Sequence, residues 1–367
     1  MRITQLDLWL VTVPHPEPVT WAGVVEREAR SVLLRVRTDE DAIGLAQARL
    51  HAAWTGTTPR LTAQTLDELY APLLRGVDPL AAERTRAAID RVRGWSPAKA
   101  LLDIALTDLR ARHAGLALRT YLGGWSDEAT VAAVVTRGPR RQRLDELARA
   151  VARHGFTAVK VKIGTHVRED IAVVRDIRAT FGSDLDIRVD ANSEYTLAEA
   201  VFVADALAEL GVLHFEDPCP LEPREVRREI FRQSRVPVLA DRVLDSVESA
   251  RQVIADGARA LSIKAQRLGL RTADRIRQLC EEHAVPAVAG LSGESAIGAL
   301  AGLQFHAAFR HFGSIPAEES RFASMAHDVV TGIPEIHGGK VVLPAAAGLG
   351  VDLDAEALDR FGVRYPL

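Results

Sequence analysis

Only two cysteines occur in this chain, Cys219 and Cys280, and their spacing suits neither a zinc site nor a redox pair. A reducing cytoplasm is the simplest setting for such usage, and neither thiol has the surroundings of a nucleophile. Charge of one sign is also missing: 46 basic against 49 acidic residues leave a formal −3, with no Lys/Arg run long enough to track a phosphate backbone. A nucleic-acid partner is therefore not expected. No segment approaches the roughly 20 consecutive apolar residues of a membrane span. Residues Met1 to Val13 alternate polar and apolar around Asp7, unlike the unbroken apolar stretch of a signal peptide. Aromatic residues are scarce at 5%, while Ala, Leu, Arg and Val are plentiful.

What is present is an ordinary soluble composition, 47% hydrophobic and 26% charged, which argues against disorder. A chain of 367 residues suits a barrel of about 200 to 250 residues plus a second domain. Met1 to Val13 and Ala29 to Arg37 read as an antiparallel pair joined by a proline-containing loop. Helical stretches follow near Leu61 to Leu74, Leu80 to Val92 and Ala98 to His113. From Ala129 the texture becomes a regular alternation. Strands are expected at Ala129 to Thr136, Ala158 to Ile163, Asp186 to Ala191, Val212 to Asp217, Pro237 to Asp241, Arg259 to Lys264 and Val285 to Gly290. A weaker eighth falls near Ser314 to Glu318. Helices between them stop at Gly155, Gly182 and Gly211, and Thr196 with Glu199 forms a capping-box signature.

Repeated strand–helix units predict an α/β fold with a parallel sheet closed into a (β/α) barrel. A doubly wound open sheet fits the same pattern, but no glycine-rich phosphate fingerprint follows the first strand of the series. The expected division is an α+β capping domain over 1–125, completed by 338–367, and a catalytic barrel over 126–337.

Five charged residues fall at the ends of five successive expected strands: Lys162, Asp190, Glu216, Asp241 and Lys264, separated by 28, 26, 25 and 23 positions. In an eight-stranded barrel the first and fifth of these face each other across the mouth. Three acids on adjacent strands make a hard-cation site, and an amine on each side reaches either face of what the cation holds. Lys160 shares a strand face with Lys162, as Asn192 does with Asp190. Two interior lysines need anionic partners, which the carboxylates supply. Free lysine has a pKa of about 10.4, so a lysine base needs a shift of roughly 3 units. A neighbouring Lys160 and a cation push in that direction, with Lys160 acting electrostatically. Substrate carboxylate on the cation would then stabilise the enediolate left by the α-proton. A single acid at a strand end is more often a cap or rim ion pair, and a strand-end lysine also suits a Schiff base. Asp217, beside Glu216, reads as a loop or capping residue.

These residues resemble the enolase superfamily, in particular its muconate lactonizing subgroup. Lys160-Val161-Lys162, Asp190-Ala191-Asn192, Glu216-Asp217-Pro218, Ala240-Asp241 and Ser262-Ile263-Lys264 are similar to its motifs, as is Gly348-Leu349-Gly350 near the end. The resemblance implies that Asp190, Glu216 and Asp241 bind Mg²⁺, with Mn²⁺ as the alternative, and that Lys162 and Lys264 are the acid/base pair. It also places Glu294 near the substrate. Two departures stand out. Arg242 replaces the usual Glu after the third ligand, and Gly44-Leu45-Ala46-Gln47 replaces Gly-x-Gly-Glu.

Substrate choice in the family comes from capping loops, here His15 to Gly23 with Trp21 and His51 to Gly56 with Trp54. Both tryptophans either pack between domains or face the site. The leading expectation is racemisation or epimerisation of an amino-acid-type or related small carboxylate. The alternative is a cycloisomerase or dehydratase, and the remoter readings are a Schiff-base aldolase and a non-catalytic carboxylate-binding barrel. By resemblance, a homo-oligomer is expected.

Overall fold

The structure, a computed structural model, describes residues 1–290 and 295–366. Its N-terminal part is an antiparallel sheet ordered Gly362–Tyr365, Ile3–Trp21, Val24–Thr38, Ile43–Arg49. Helices lie against one face. The first strand runs on through Pro14, Pro16 and Pro18, where the sequence reading expects a loop. Register against Val24–Thr38 shifts between Pro14 and Val19, and the C-terminal strand pairs only with Leu8 to Val11. The prolines therefore sit where one side of the strand needs no ladder bond.

Helix Ser96–His113 packs on strand Ile43–Arg49, and Asp108 pins the contact. Its buried carboxylate accepts the main-chain N–H groups of Leu45 at 2.8 Å and Leu349 at 2.6 Å, and Arg112 Nε at 2.9 Å. One side chain thus ties the third strand, the helix and the Gly-Leu-Gly segment together. Lys340–Val342 goes elsewhere, pairing with Glu128–Thr130.

Seven parallel strands follow one another in sequence order: Ala133–Val135, Ala158–Lys162, Asp186–Asp190, Val212–Glu216, Val238–Ala240, Ala260–Ile263 and Ala287–Ala289. A short eighth stave closes them. Ala317 bridges Val131, with Ala317 N donating to Thr130 O at 2.8 Å, and Glu318 N donates to Ala289 O at 2.9 Å. Closure excludes the open doubly wound sheet. The expected first strand is divided, its early residues pairing with Lys340–Val342 and its later ones with Ala158–Lys162.

Helix boundaries follow local chemistry. Thr196 and Glu199 form the reciprocal capping box that starts Leu197–Glu209. Helix Arg140–His154 ends at Gly155, whose φ of 67° is left-handed and whose added Cβ would stand 2.9 Å from Gly338 Cα. Glycine is required there twice over. Among the described residues no helix is long and apolar enough to cross a membrane.

Candidate active site

Parallel register aligns the strand ends. Lys162 is the lateral neighbour of Asp190, and Asp190 of Glu216. Glu216 pairs with Leu239, so Asp241 lies just past the next strand, Val238–Ala240, and Lys264 directly follows the one after that, Ala260–Ile263. Alternation along Ala158–Lys162 sends Lys160 and Lys162 to one side and Val159 and Val161 into the helix-facing core.

Lys160 is 2% exposed and surrounded by acids: Glu216 Oε2 at 2.6 Å, Glu318 Oε2 at 2.7 Å and Asp190 Oδ2 at 3.1 Å. Burial opposes its charge, but Glu216, Glu318 and Asp190 outweigh burial and raise the ammonium well above the ordinary lysine range. It stays protonated. Arg188 also supports Glu318, with Nη1 at 3.4 Å from Oε1. Glu318 has no place among the sequence-derived candidates, although it ends the expected eighth strand.

The other two lysines are held by different carboxylates. Lys162 Nζ donates to Asp190 Oδ2 at 2.6 Å, and Lys264 Nζ to Asp241 Oδ2 at 2.7 Å. Arg267 Nη2 adds a bond to Asp241 Oδ1 at 3.1 Å. Burial would raise both aspartates, yet Lys162 and Lys160 hold Asp190 down, as Lys264 and Arg267 do Asp241. Glu216 is the contrast. Burial, then the charge of Asp190, pushes it well above the usual carboxylate range against the pull of Lys160.

Asp217 lies in the bend after Val212–Glu216, as expected of a loop residue, but not at the surface. It is fully buried, and φ of 37° turns it off the strand. Its carboxylate accepts the main-chain N–H of Asp241 at 3.0 Å and of Arg242 at 2.9 Å. Burial is the largest cause of a pKa pushed up to about 7, with Asp241 and Asp190 adding to it. Asp217 therefore fixes the backbone that carries Asp241.

Above the strand ends lies a cavity whose wall includes Lys162, Lys264, Asn192, Trp21 and Trp54. Asn192, at φ 51°, donates its main-chain N–H to Asp190 Oδ1 at 2.8 Å. The two tryptophan rings meet edge to face at 5.5 Å, and Trp21 Nε1 donates to Glu26 Oε2 at 2.6 Å. Lys264 Nζ lies 5.5 Å from the centre of the Trp54 ring. Arg242 is drawn off the strand ends: its guanidinium lies 4.4 Å from the same ring and lines a separate outer cleft with Trp54. Glu294 lies outside the described residues.

The residues fit a hard divalent cation by donor type. Asp190, Glu216 and Asp241 present only carboxylate oxygens, and Glu216 Oε1 and Asn192 Oδ1 are buried without a hydrogen-bond partner. As the side chains stand, no three His, Cys, Asp or Glu among the described residues are gathered around one point. The lysines explain this, since Asp190 and Glu216 turn to Lys160 and Lys162, and Asp241 turns to Lys264.

Comparison with known proteins decides the family. The N-terminal domain model of the mandelate racemase/muconate lactonizing enzymes matches residues 5–123, and the enolase C-terminal domain-like model matches 142–357. This chain belongs to the enolase superfamily. Within that superfamily it is similar to the hydrophobic dipeptide epimerase of Enterococcus faecalis, 28% identical over 96% of this chain and 99% of that one. It is also similar to the N-succinyl-L-Arg/Lys racemase of Bacillus cereus, 26% identical over 84% of each. Among solved structures, muconate lactonizing enzyme from Mycobacterium smegmatis complexed with muconolactone superposes with a TM-score of 0.96 at 27% identity, covering 99% of this chain and 100% of that one. Within the superfamily the chain falls in the subgroup that resembles muconate lactonizing enzyme; it is an enzyme, and these relatives are isomerases.

Proposed function

We propose that this enzyme inverts the α-carbon of a small carboxylate of amino-acid type by passing the α-proton between Lys162 and Lys264. Asp190, Glu216 and Asp241 would hold the divalent cation, magnesium or in its place manganese. The observation that carries this reading is the opposition of the two amines. Lys162 ends the second stave and Lys264 follows the sixth, half a turn apart in an eight-stave barrel, and both line one cavity.

Two-base inversion needs one neutral amine to take the proton and one ammonium to return it from the other face. Lys162 and Lys264 are each positioned by their own aspartate, and a cation held at those carboxylates would favour the neutral amine the base role needs. Lys160, kept charged by three acids, adds positive potential without giving up its proton. A bound cation would supply charge for the substrate carboxylate as negative charge develops on loss of the α-proton. Asn192 and the tryptophan pair position the substrate and exclude water above it.

The test is incubation of amino acids and their N-acyl derivatives in deuterated water with Mg²⁺, followed by NMR and chiral chromatography. Inversion with α-deuterium as the only mass change, abolished by chelator, supports the proposal. The likeness to muconate lactonizing enzyme favours a second reading, one-base cycloisomerisation or elimination, which a lactone or alkene product would establish instead. A borohydride-trapped adduct insensitive to chelator would point to Schiff-base chemistry.

A further inference from the structure

The end of the second stave, which carries Lys162, is held by side chains on the side of the first stave. The ladder between Ala133–Val135 and Ala158–Lys162 stops at Val135 opposite Val161. Beyond it, Arg143 Nη2 donates to Lys162 O and Arg137 Nη2 donates to Ile163 O. A buried carbonyl needs a partner, and a charged donor bonds it more strongly than a neutral one. Gly164 follows with φ of 104°, and a Cβ there would stand 2.8 Å from Arg137 Nη2 and 2.5 Å from Ala191 O. Glycine thus leaves Arg137 room to reach the Ile163 carbonyl. Past Gly164, Asp170 Oδ2 accepts the main-chain N–H groups of Gly164, Thr165 and His166 at 3.0, 2.9 and 3.0 Å.

Arg137 differs from Arg143 in where else it reaches. Its Nη1 is ion-paired with Glu194 Oε2 at 2.6 Å, in the turn that follows Asn192, and its side chain is only 9% exposed. Its main-chain N–H donates to Thr20 O at 3.1 Å, beside Trp21 at the tip of the hairpin formed by Ile3–Trp21 and Val24–Thr38. One residue therefore joins the capping hairpin that brings Trp21, the strand end that brings Lys162 and the turn that brings Asn192, all of them in the cavity wall. Among the described residues, none of these partners of Arg137 belongs to the strand ends that carry Asp241 and Lys264.

We propose that Arg137 is a positioning residue for Lys162, coupling the seating of the Trp21 hairpin tip to the alignment of that one amine. This rests on the two-base reading above and makes the two bases unequal. Proton removal by Lys162 depends on the hairpin through Arg137, whereas removal by Lys264 does not. Reaction rate is steep in the placement of the reacting atoms, a displacement of about 1 Å costing on the order of 10²-fold. Loosening Arg137 therefore slows reaction at one face of the α-carbon and spares the other.

The experiment measures kcat for α-deuterium exchange by the Mg²⁺-loaded enzyme on the separate D and L enantiomers of whichever amino acid or N-acyl amino acid the wild type exchanges fastest. Lys162→Ala identifies the enantiomer that Lys162 serves, as the one whose exchange it slows. Arg137→Met should lower kcat for that enantiomer roughly tenfold to a hundredfold, and for the other by less than about twofold. Arg137→Lys keeps the charge but lacks the fork that reaches Ile163 O and Glu194 together, and should fall between. Should Arg137→Met not fold, Arg137→Lys carries the same comparison. Trp21→Ala should slow the same enantiomer, and the double variant with Arg137→Met should lose less than the product of the single effects. Equal loss for both enantiomers in the arginine variants is what a merely structural group gives and overturns the assignment, as does no loss in either. Effects of Trp21 and Arg137 that multiply independently overturn the coupling. Wild type that exchanges neither enantiomer, or only one, overturns the two-base reading, and this assignment with it.

Discussion

Asp217 holds Asp241 through the backbone: one carboxylate oxygen accepts the Asp241 N–H at 3.0 Å and the other accepts the Arg242 N–H at 2.9 Å. An Asn at 217 has one acceptor oxygen and an NH₂ that opposes the second N–H. Asp217→Asn is expected to weaken Mg²⁺ binding about 10-fold to 100-fold, as loss of support behind a ligand does. Isothermal titration with Mg²⁺ measures it, and unchanged affinity would make Asp217 a purely structural group.

Arg242 and Trp54 tie the capping domain to the barrel beside Lys264. With its guanidinium 4.4 Å from the ring centre, Arg242 contributes about 0.5–2 kcal/mol to the placement of Trp54. Arg242→Ala should raise KM about twofold to thirtyfold while kcat changes less, and should shift tryptophan fluorescence. A fall in kcat with constant KM would mean that Arg242 acts on the chemistry itself.

Gly44 stands where strand Ile43–Arg49 touches helix Ser96–His113. An added Cβ would lie 2.0 Å from Ala105 O and 2.8 Å from Leu109 Cβ, both on a packed helix. Gly44→Ala is expected to destabilise the protein by roughly 3 kcal/mol, the upper end for overpacked contacts. A urea midpoint equal to wild type would show that the helix yields freely.

Acid should unfold this protein partly through buried histidines. His306, stacked on Phe312 at 5.5 Å, and His214 are both lowered by burial, then by Arg188, to about 4. Unfolded, each binds a proton near the ordinary 6.5, so between pH 6.5 and 4 the unfolded chain holds more protons. Stability contributed above pH 6.5 is therefore lost as pH falls toward 4, by up to about 3 kcal/mol for each histidine. His306→Gln should flatten the slope of stability against pH in that window, and an unaltered slope would assign the acid sensitivity elsewhere.

Much of the site was legible because strand alternation and parallel register are strict: five charges in phase on five strands can only converge at one rim. Lys160 as a permanent ammonium followed from the same alternation. Glu318 was not legible as its partner, because the eighth stave is only a bridge at Ala317 and carries little strand signal. Asp217 does lie in the bend after the strand, as expected of a loop residue, but its complete burial and its hold on the Asp241 backbone leave no local pattern. The proline-rich stretch Pro14 to Pro18 suggested a loop, whereas an edge free of a second partner lets the strand continue.

The direct test of the central claim is enantiomer-resolved α-deuterium exchange by Lys162→Ala and Lys264→Ala beside the wild type. The account predicts that wild type exchanges both enantiomers. Each variant should lose inversion and keep exchange from one enantiomer only, opposite between the two, with the other slowed about 10²–10⁴-fold. Either single variant still exchanging both enantiomers, or both variants sparing the same one, would contradict it.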